Sequence, residues 1–236
     1  MKLSIVVPCY NEAKSLKTVA EKFAHAFRNV DFELVMVNNG STDNSAQVFA
    51  ELFASGKTFP FVKVVDVPLN QGYGYGILQG LKAASGDILG WTHADLQTDP
   101  GDVARAFMLM LNQKDPNKVL VQGRRLGRPL GDQFFTFAMQ VLASVVLFAD
   151  IKHINAQPKL FPRRFFETWQ NPPFDFSLDL YAIYTAKRQG LKVKIIDVQF
   201  PPRPFGESKW AATLRGRFKM IWRSFKFIFE LRFRPC

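Results

Sequence analysis

The apolar run Ile88, Leu89 and Trp91 stops abruptly at His93-Ala94-Asp95-Leu96-Gln97, with Asp99 and Pro100 just beyond. Imidazole, carboxylate and amide groups at alternate positions can hold a divalent cation. Oxygen ligands suit Mg²⁺, and neutral imidazole also suits Mn²⁺. If the segment stays extended, alternate side chains point to one side, and His93, Asp95 and Gln97 share a face. Asp99 precedes a proline and reads instead as the cap of the following helix. Basic groups form a second set. Arg124, Arg125 and Arg128 cluster after a strand, Lys159, Arg163 and Arg164 follow the next loop, and Arg203, Ser208 and Lys209 stand in "RPFGESKW". The guanidinium fork binds phosphate bidentately. Charge runs also occur as plain solvated faces, a reading that applies above all to Arg163 and Arg164.

Elements must carry these groups to one place. "LSIVVP" (3–8), "FELVMVNN" (32–39), "FVKVVDVP" and "DILGWTHAD" read as strands covered on both faces, and "LKVKIIDVQFP" as an alternating strand. Between them, Leu16, Val19, Ala20, Phe23, Ala26 and Phe27 recur at helical spacing. "STDNSAQVFAELFASG" opens with Ser41 or Thr42 as a helix cap, and "GYGILQGLKAASG" is a helix closed by Gly86. "FDFSLDLYAIYTAKRQG" is a further helix. Strands alternating with helices imply an α/β fold with a mainly parallel sheet flanked by helices. Ligands of such sheets bind beyond the carboxyl ends of the strands. The polar clusters Pro8 to Glu12, Asn38 to Asp43, Asn70 to Gly76 and His93 to Gln97 fall at those ends, so one crevice can collect them all.

The chain has 236 residues, a hydrophobic fraction of 47% and a net charge of +11, which suits a single globular domain with an anionic partner. Cys9 and Cys236 are too few and too poorly placed for a disulfide framework, which points to a reducing compartment. The short apolar N-terminus meets Pro8 and Glu12 too early for a signal peptide. The apolar segment 134–149 falls short of the roughly 17–25 residues that span a bilayer.

Taken in order, "SIVVPCYNE", "NNGSTDNS", "NQGYGYGILQGLKAASGD" and "HADLQTDP" resemble the inverting family 2 glycosyltransferases of the GT-A fold. "ADLQTDP", "NAQPKLFPRR" and "RPFGESKW" are similar to the segments of dolichol- and polyprenyl-phosphate sugar synthases. No G-x-G-x-x-G opens the first helix, which disfavours a Rossmann oxidoreductase. The resemblance covers about residues 3 to 210 and implies a nucleotide-diphospho-sugar transferase domain over 1–210, with a basic amphipathic tail over 211–236.

The resemblance implies roles. Pro8, Tyr10, Asn11 and Glu12 would hold base and ribose. Asn39 and Asp43 would lie at the base, where the family usually has Asp-Asp-Gly-Ser; amides in place of acids leave uridine and guanosine both open. Gly72 and Gly74 would allow close backbone approach to the donor, and Ala94 would border the nucleotide. His93, Asp95 and Gln97 stand where the family has Asp-x-Asp followed by Gln, around a divalent cation, Mn²⁺ or Mg²⁺, that bridges the diphosphate. His93 is a metal ligand, a phosphate contact, or a structural residue; the sequence leaves all three open. Asp95, Arg124, Arg203 and Lys209 would act in catalysis, with Arg128, Lys159 and Ser208 toward an acceptor phosphate.

A phosphate acceptor is already anionic and needs cations rather than a base, whereas a hydroxyl needs a base. The basic clusters favour a phosphate acceptor, and the resemblance implies a UDP- or GDP-sugar donor and a polyprenyl phosphate as that acceptor. Asp175 and Asp179 in "FDFSLD" favour the alternative, a hydroxyl of a lipid-linked or surface glycan, and Pro158 departs from the family pattern. In the tail, Phe218, Ile221, Trp222, Phe225, Ile228 and Phe229 are spaced as one stripe flanked by Lys219, Arg223 and Lys226. Such a helix lies on an anionic membrane or packs on its own domain or on another copy of the chain. The expectation is peripheral attachment at the cytoplasmic face. A nucleic-acid-binding module and a non-catalytic scaffold are the rival readings; no nucleic-acid motif accompanies the charge.

Overall fold

A computed structural model describes residues 1–127, 130–201 and 214–233, without the side chains of 130, 132, 134, 135 and 214–221. Strands β1 (Leu3–Cys9), β2 (Phe32–Asn39), β3 (Val62–Val67) and β4 (Ile88–Trp91) alternate with helices α1 (Leu16–Ala26), α2 (Ser45–Phe53) and α3 (Tyr73–Ala83). There follow α4 (Pro100–Leu111), β5 (Val119–Leu126), α5 (Leu130–Leu147), β6 (Lys159–Pro162), α6 (Arg163–Glu167), α7 (Leu178–Arg188), β7 (Lys192–Gln199) and α8 (Leu214–Phe233). The sheet order is β3-β2-β1-β4-β6-β5-β7. It is parallel except for β6, which runs against both β4 and β5. This is the mainly parallel, helix-flanked α/β architecture that the alternating pattern predicts.

Two apolar cores explain why the central strands are hydrophobic on both faces. Ile5, Val7, Leu34 and Met36 face Val19, Phe23, Phe49 and Phe107 on α1, α2 and α4. Val6, Val35, Val37, Leu89 and Trp91 face Ile77, Leu81, Leu178, Ile183, Phe227 and Ile228 on α3, α7 and α8. Alternation along each strand deals its residues to the two sides. Cys9 is buried at the end of β1 and free; burial pushes its thiol well above the ordinary range, so it is inert as a nucleophile.

Several local expectations are corrected. Ser41 and Thr42 do not cap α2. Its first residue follows Asn44, and Asp43 Oδ1 accepts from Ser45 N at 3.0 Å. The two hydroxyls serve the neighbouring loop instead: Asn11 N donates to Ser41 Oγ at 3.1 Å and Asn11 Nδ2 to Thr42 Oγ1 at 3.1 Å. Asp99 caps α4 as expected, accepting from Gly101 N at 2.6 Å. Residues 159–162, assigned no element from the sequence, form the antiparallel strand β6. Arg163 donates to the carbonyls of Gly86 and Ala84, and Arg164 to that of Asn117, so both tie loops together. In the tail helix the proposed single stripe is split: Ile228 is buried together with Phe227 and Leu231, while Trp222, Phe225 and Phe229 remain exposed. The difference arises because α8 packs against α5, which takes one flank of the helix into the core.

Candidate active site

The loops after β1, β2, β4 and β5 lie along one rim of the sheet, and hydrogen bonds knit them together. Asn11 adopts φ 58°, a left-handed conformation that asparagine tolerates. Its side-chain oxygen accepts from Thr42 N at 2.8 Å and Asp43 N at 3.3 Å. Glu12 N donates to Ser45 Oγ at 3.2 Å, and Ser15 Oγ donates to the Glu12 carboxylate at 3.0 Å. Pro8 pairs with Val37 in the β1–β2 register, and Tyr10 is exposed just beyond it. Asn39 Nδ2 donates to Gly72 O at 3.1 Å, which leaves Asn39 Oδ1 buried without a partner among the described residues.

The glycines before and within α3 have an internal reason. Gly72 has φ 125°, and a Cβ there would lie 2.3 Å from the carbonyl oxygen of Phe174. A Cβ on Gly74 would lie 2.7 Å from the carbonyl oxygens of both Pro173 and Asp175. The loop 173–175 therefore presses on the start of α3, and Tyr75 N donates to Phe174 O at 2.9 Å. Gly74→Ala should cost about 1–3 kcal/mol, because the clash is with backbone that cannot rotate away. Urea unfolding checks this; an unchanged midpoint would mean the loop is not seated there.

The segment after β4 does not remain extended. Thr92 and Thr98 close a turn with their hydroxyls 2.9 Å apart, and Leu96 takes φ 58°. Asp95 Oδ1 accepts from Gln97 N at 3.1 Å. Gln97 Nε2 donates to Pro201 O at 2.9 Å, toward the exit of β7. The alternation that would have aligned His93, Asp95 and Gln97 is thus lost: once β4 ends at Trp91, no ladder maintains the pleat. Ala94 is buried against the α1–α4 core, and Asp95, 8% exposed, lies at the rim.

His93 Nε2 lies 3.2 Å from a guanidinium nitrogen of Arg125. Arg125 also donates to Asn155 O and stacks 4.2 Å over the Phe200 ring. The ring of Tyr73 sits 6.1 Å from that of His93 and stacks on Phe176 at 4.8 Å. Burial first, and then the charge on Asp179, push the Tyr73 phenol well above its ordinary range, so it stays protonated.

Arg124, the neighbour of Arg125, is placed elsewhere. It lies opposite Asp197 in the β5–β7 register and holds that carboxylate at 2.5 and 2.7 Å. Hydrogen bonding to Arg124 keeps Asp197 below the ordinary carboxylate range. Adjacent strand residues face opposite sides, so only one of the two arginines can approach His93. The sequence favours Arg124 for catalysis, and the contact with His93 falls to Arg125. Lys159 also departs from the expectation of an acceptor-phosphate contact. It is fully buried, and its ammonium donates to Ile154 O at 2.7 Å and Ala156 O at 2.9 Å and pairs with Asp179 at 2.9 Å. An ammonium has three N–H donors, and all are used. Burial lowers its pKa despite the attraction of Asp179. Arg128, Arg203, Ser208 and Lys209 lie outside the described residues.

The two acids considered as bases are also engaged. Asp179 is fully buried with Lys159 and accepts from Gln157 Nε2 at 2.7 Å. Asp175 pairs with Arg223 of α8 at 2.7 Å and caps Ser177 N at 2.9 Å. Among the described residues no group of three or more His, Cys, Asp and Glu side chains could hold a metal ion. No described helix is long and apolar enough to cross a membrane.

The fold agrees with known proteins. Undecaprenyl-phosphate 4-deoxy-4-formamido-L-arabinose transferase of Yersinia enterocolitica is 36% identical over 108 residues, 44% of this chain and 32% of that protein. The same-named protein of Pseudomonas fluorescens is 38% identical over 107 residues, 44% of this chain and 30% of its own. The matched part spans about a third of the length of these curated relatives. Glucosyl-3-phosphoglycerate synthase from Mycobacterium tuberculosis, solved with Mn²⁺, UDP and glucosyl-3-phosphoglycerate, shares the fold with a TM-score of 0.72 at 19% identity, over 98% of this chain and 79% of that one. The profile of Glycosyl transferase family 2 matches residues 4–179, from the first strand through the start of α7. The chain belongs to glycosyl transferase family 2, the inverting transferases, and has the GT-A fold.

Proposed function

We propose that the chain transfers a sugar, with inversion, from a UDP- or GDP-sugar to a polyprenyl phosphate presented at a membrane surface. The observation that carries this reading is that both candidate bases are held in ion pairs. Asp175 and Asp179 are neutralised by Arg223 and Lys159, while the guanidinium of Arg125 stands beside His93. A hydroxyl acceptor would need one of those carboxylates free to take its proton. A phosphate acceptor arrives without that proton and benefits from nearby cations. The names of the curated relatives, undecaprenyl-phosphate transferases, agree with this acceptor class.

In the reaction an acceptor phosphate oxygen attacks the anomeric carbon from the face opposite the diphosphate. The new C–O bond forms as the bond to the diphosphate breaks, and the nucleoside diphosphate leaves with the electron pair. The Asn11-centred loops would hold the nucleoside, with the Asn39 carbonyl as a buried acceptor for a ring N–H of the base. Arg125 would offset charge on the phosphates. The residues fit a divalent cation through the carboxylate of Asp95, which lies at the rim next to the amide of Gln97. His93 fits less well, because its Nε2 faces a guanidinium. With one carboxylate from the chain, the diphosphate would supply further oxygen ligands. Bound Mn²⁺ or Mg²⁺ would neutralise the charge that develops on the departing diphosphate.

The test is release of nucleoside diphosphate from a UDP- or GDP-sugar, with undecaprenyl phosphate or the uncharged polyprenol offered in detergent micelles. The phosphate should accelerate release, and the alcohol should not. Turnover with a hydroxyl glycan but not with the phosphate would overturn the acceptor assignment.

A further inference from the structure

Two neighbouring helices leave large apolar side chains in solvent. On α5, Phe137, Val141, Val145 and Phe148 recur at helical spacing through and just past its end, with Val145 at 65% and Phe148 at 81% exposure. On α8, Trp222, Phe225, Phe229 and Phe233 do the same, with Trp222 at 61% and Phe233 at 82%. The helices pack on each other, and the Arg232 guanidinium sits 5.0 Å over the Phe148 ring, which brings the two stripes together at one end. Domains seldom leave such contiguous apolar surface bare unless something covers it.

We propose that the outer faces of α5 and α8 form one docking surface for an anionic lipid bilayer. Charge selects this occupant. α8 carries Arg215, Arg217, Lys219, Arg223, Lys226 and Arg232 against a single acid, Glu230, and the whole chain has a net charge of +11. Two copies meeting through so basic a helix would repel, whereas an anionic headgroup layer attracts it. The inner face of α8, with Phe227, Ile228 and Leu231, belongs to the core, so α8 acts as a rigid ledge and not as a detachable tail. Its polar edge is tied to the crevice. Arg223 holds Asp175, in the loop whose carbonyls press on Gly72 and Gly74. A bilayer against this ledge lies beside the site where the sugar would be transferred. The inference rests on the polyprenyl-phosphate reading for its purpose but not for its evidence.

The experiment uses the full chain and co-sedimentation with phosphatidylcholine vesicles, with and without phosphatidylglycerol. Binding should require phosphatidylglycerol and weaken with added salt. The pair V145Q and F148Q on α5, and separately W222Q and F233Q on α8, should each lower the vesicle partition coefficient roughly tenfold or more. These side chains are mostly exposed, so thermal midpoints should hold, and the salt dependence of the unaltered chain tests the surface without any variant. Binding that ignores phosphatidylglycerol, or that survives the α5 pair, would overturn the proposal. So would a dimer in solution that the substitutions dissociate while vesicle binding never occurs. Nucleoside diphosphate release with a short-chain, water-dispersed polyprenyl phosphate is measured in parallel. Variants that lose vesicles and keep this turnover support the docking surface. Failure of that turnover with vesicle binding intact would count against the acceptor alone.

Discussion

Asp95→Asn should abolish the cation-dependent part of nucleotide binding and lower transfer by about 10²–10³-fold. The substitution separates charge from architecture. Asp95 Oδ1 accepts from Gln97 N, and an asparagine carbonyl can still accept that bond, so the turn from Thr92 to Thr98 should persist. What is lost is the negative charge that opposes a divalent cation at the diphosphate. For the unaltered chain, UDP or GDP with Mn²⁺ at 100 times its dissociation constant adds about 2.7 kcal/mol of stability. In a domain of this size that corresponds to a rise of about 5–10 °C in Tm. The asparagine variant should show the same Tm as the parent without ligand and little of the rise with nucleotide and Mn²⁺. A variant that retains the full metal-dependent shift would remove Asp95 from the cation site. Absence of any nucleotide response in the parent would remove the donor assignment as well.

Lys159→Met should destabilise the protein by about 3–5 kcal/mol, because it strands the Asp179 carboxylate in the interior with Gln157 as its remaining partner of the pair's network. The methionine fills most of the lysine's volume, so the penalty comes from the unpaired charge and not from a cavity. Replacing both partners, Lys159→Met with Asp179→Leu, should recover most of the loss, since a buried ion pair exchanged for apolar groups is often close to neutral. Urea unfolding of the single and double variants measures both. This test also discriminates between roles. If Lys159 contacted the acceptor phosphate, Lys159→Met would reduce turnover while leaving the unfolding midpoint unchanged. The structural role predicts the reverse order of effects, with stability lost first and turnover recovered at low temperature wherever the fold survives.

The neighbouring network gives these residues an indirect part in the site. Gln157 Nε2 reaches both Asp179 and the Tyr73 hydroxyl, at 2.7 and 3.3 Å, and Tyr73 lies beside His93. A buried cation thus sets the position of an aromatic wall of the crevice from the side away from solvent. Arg125 closes the other side through His93 and Phe200. The two cations differ in burial: Lys159 is fully buried, whereas Arg125 is partly buried at the rim.

What the residues determine locally was legible in advance. The strand Phe32–Asn39 follows from a run of apolar residues ending in polar ones, and Asp99 caps α4 because the acid, the proline and the helix are contiguous. The convergence of polar loops on one rim, and with it the family and fold, follows from the order of strands, helices and motifs. One departure is local, the turn from Thr92 to Thr98 that breaks the alignment of His93, Asp95 and Gln97; the others involve partners distant in the chain. Ser41 and Thr42 look like caps until Asn11, about thirty residues away, takes their hydroxyls. Arg124 and Arg125 are equivalent in composition, and the choice between them was made by the register that sets Arg124 against Asp197, 73 residues on. Lys159 reads as one more surface cation until β6 is inserted antiparallel between β4 and β5, which carries it inward to Asp179. Periodicity and capping are short-range and are written in adjacent residues. The facing of a side chain, its burial and the partner of its charge depend on strand register and helix packing across the whole domain, and these exist only once the sheet is assembled.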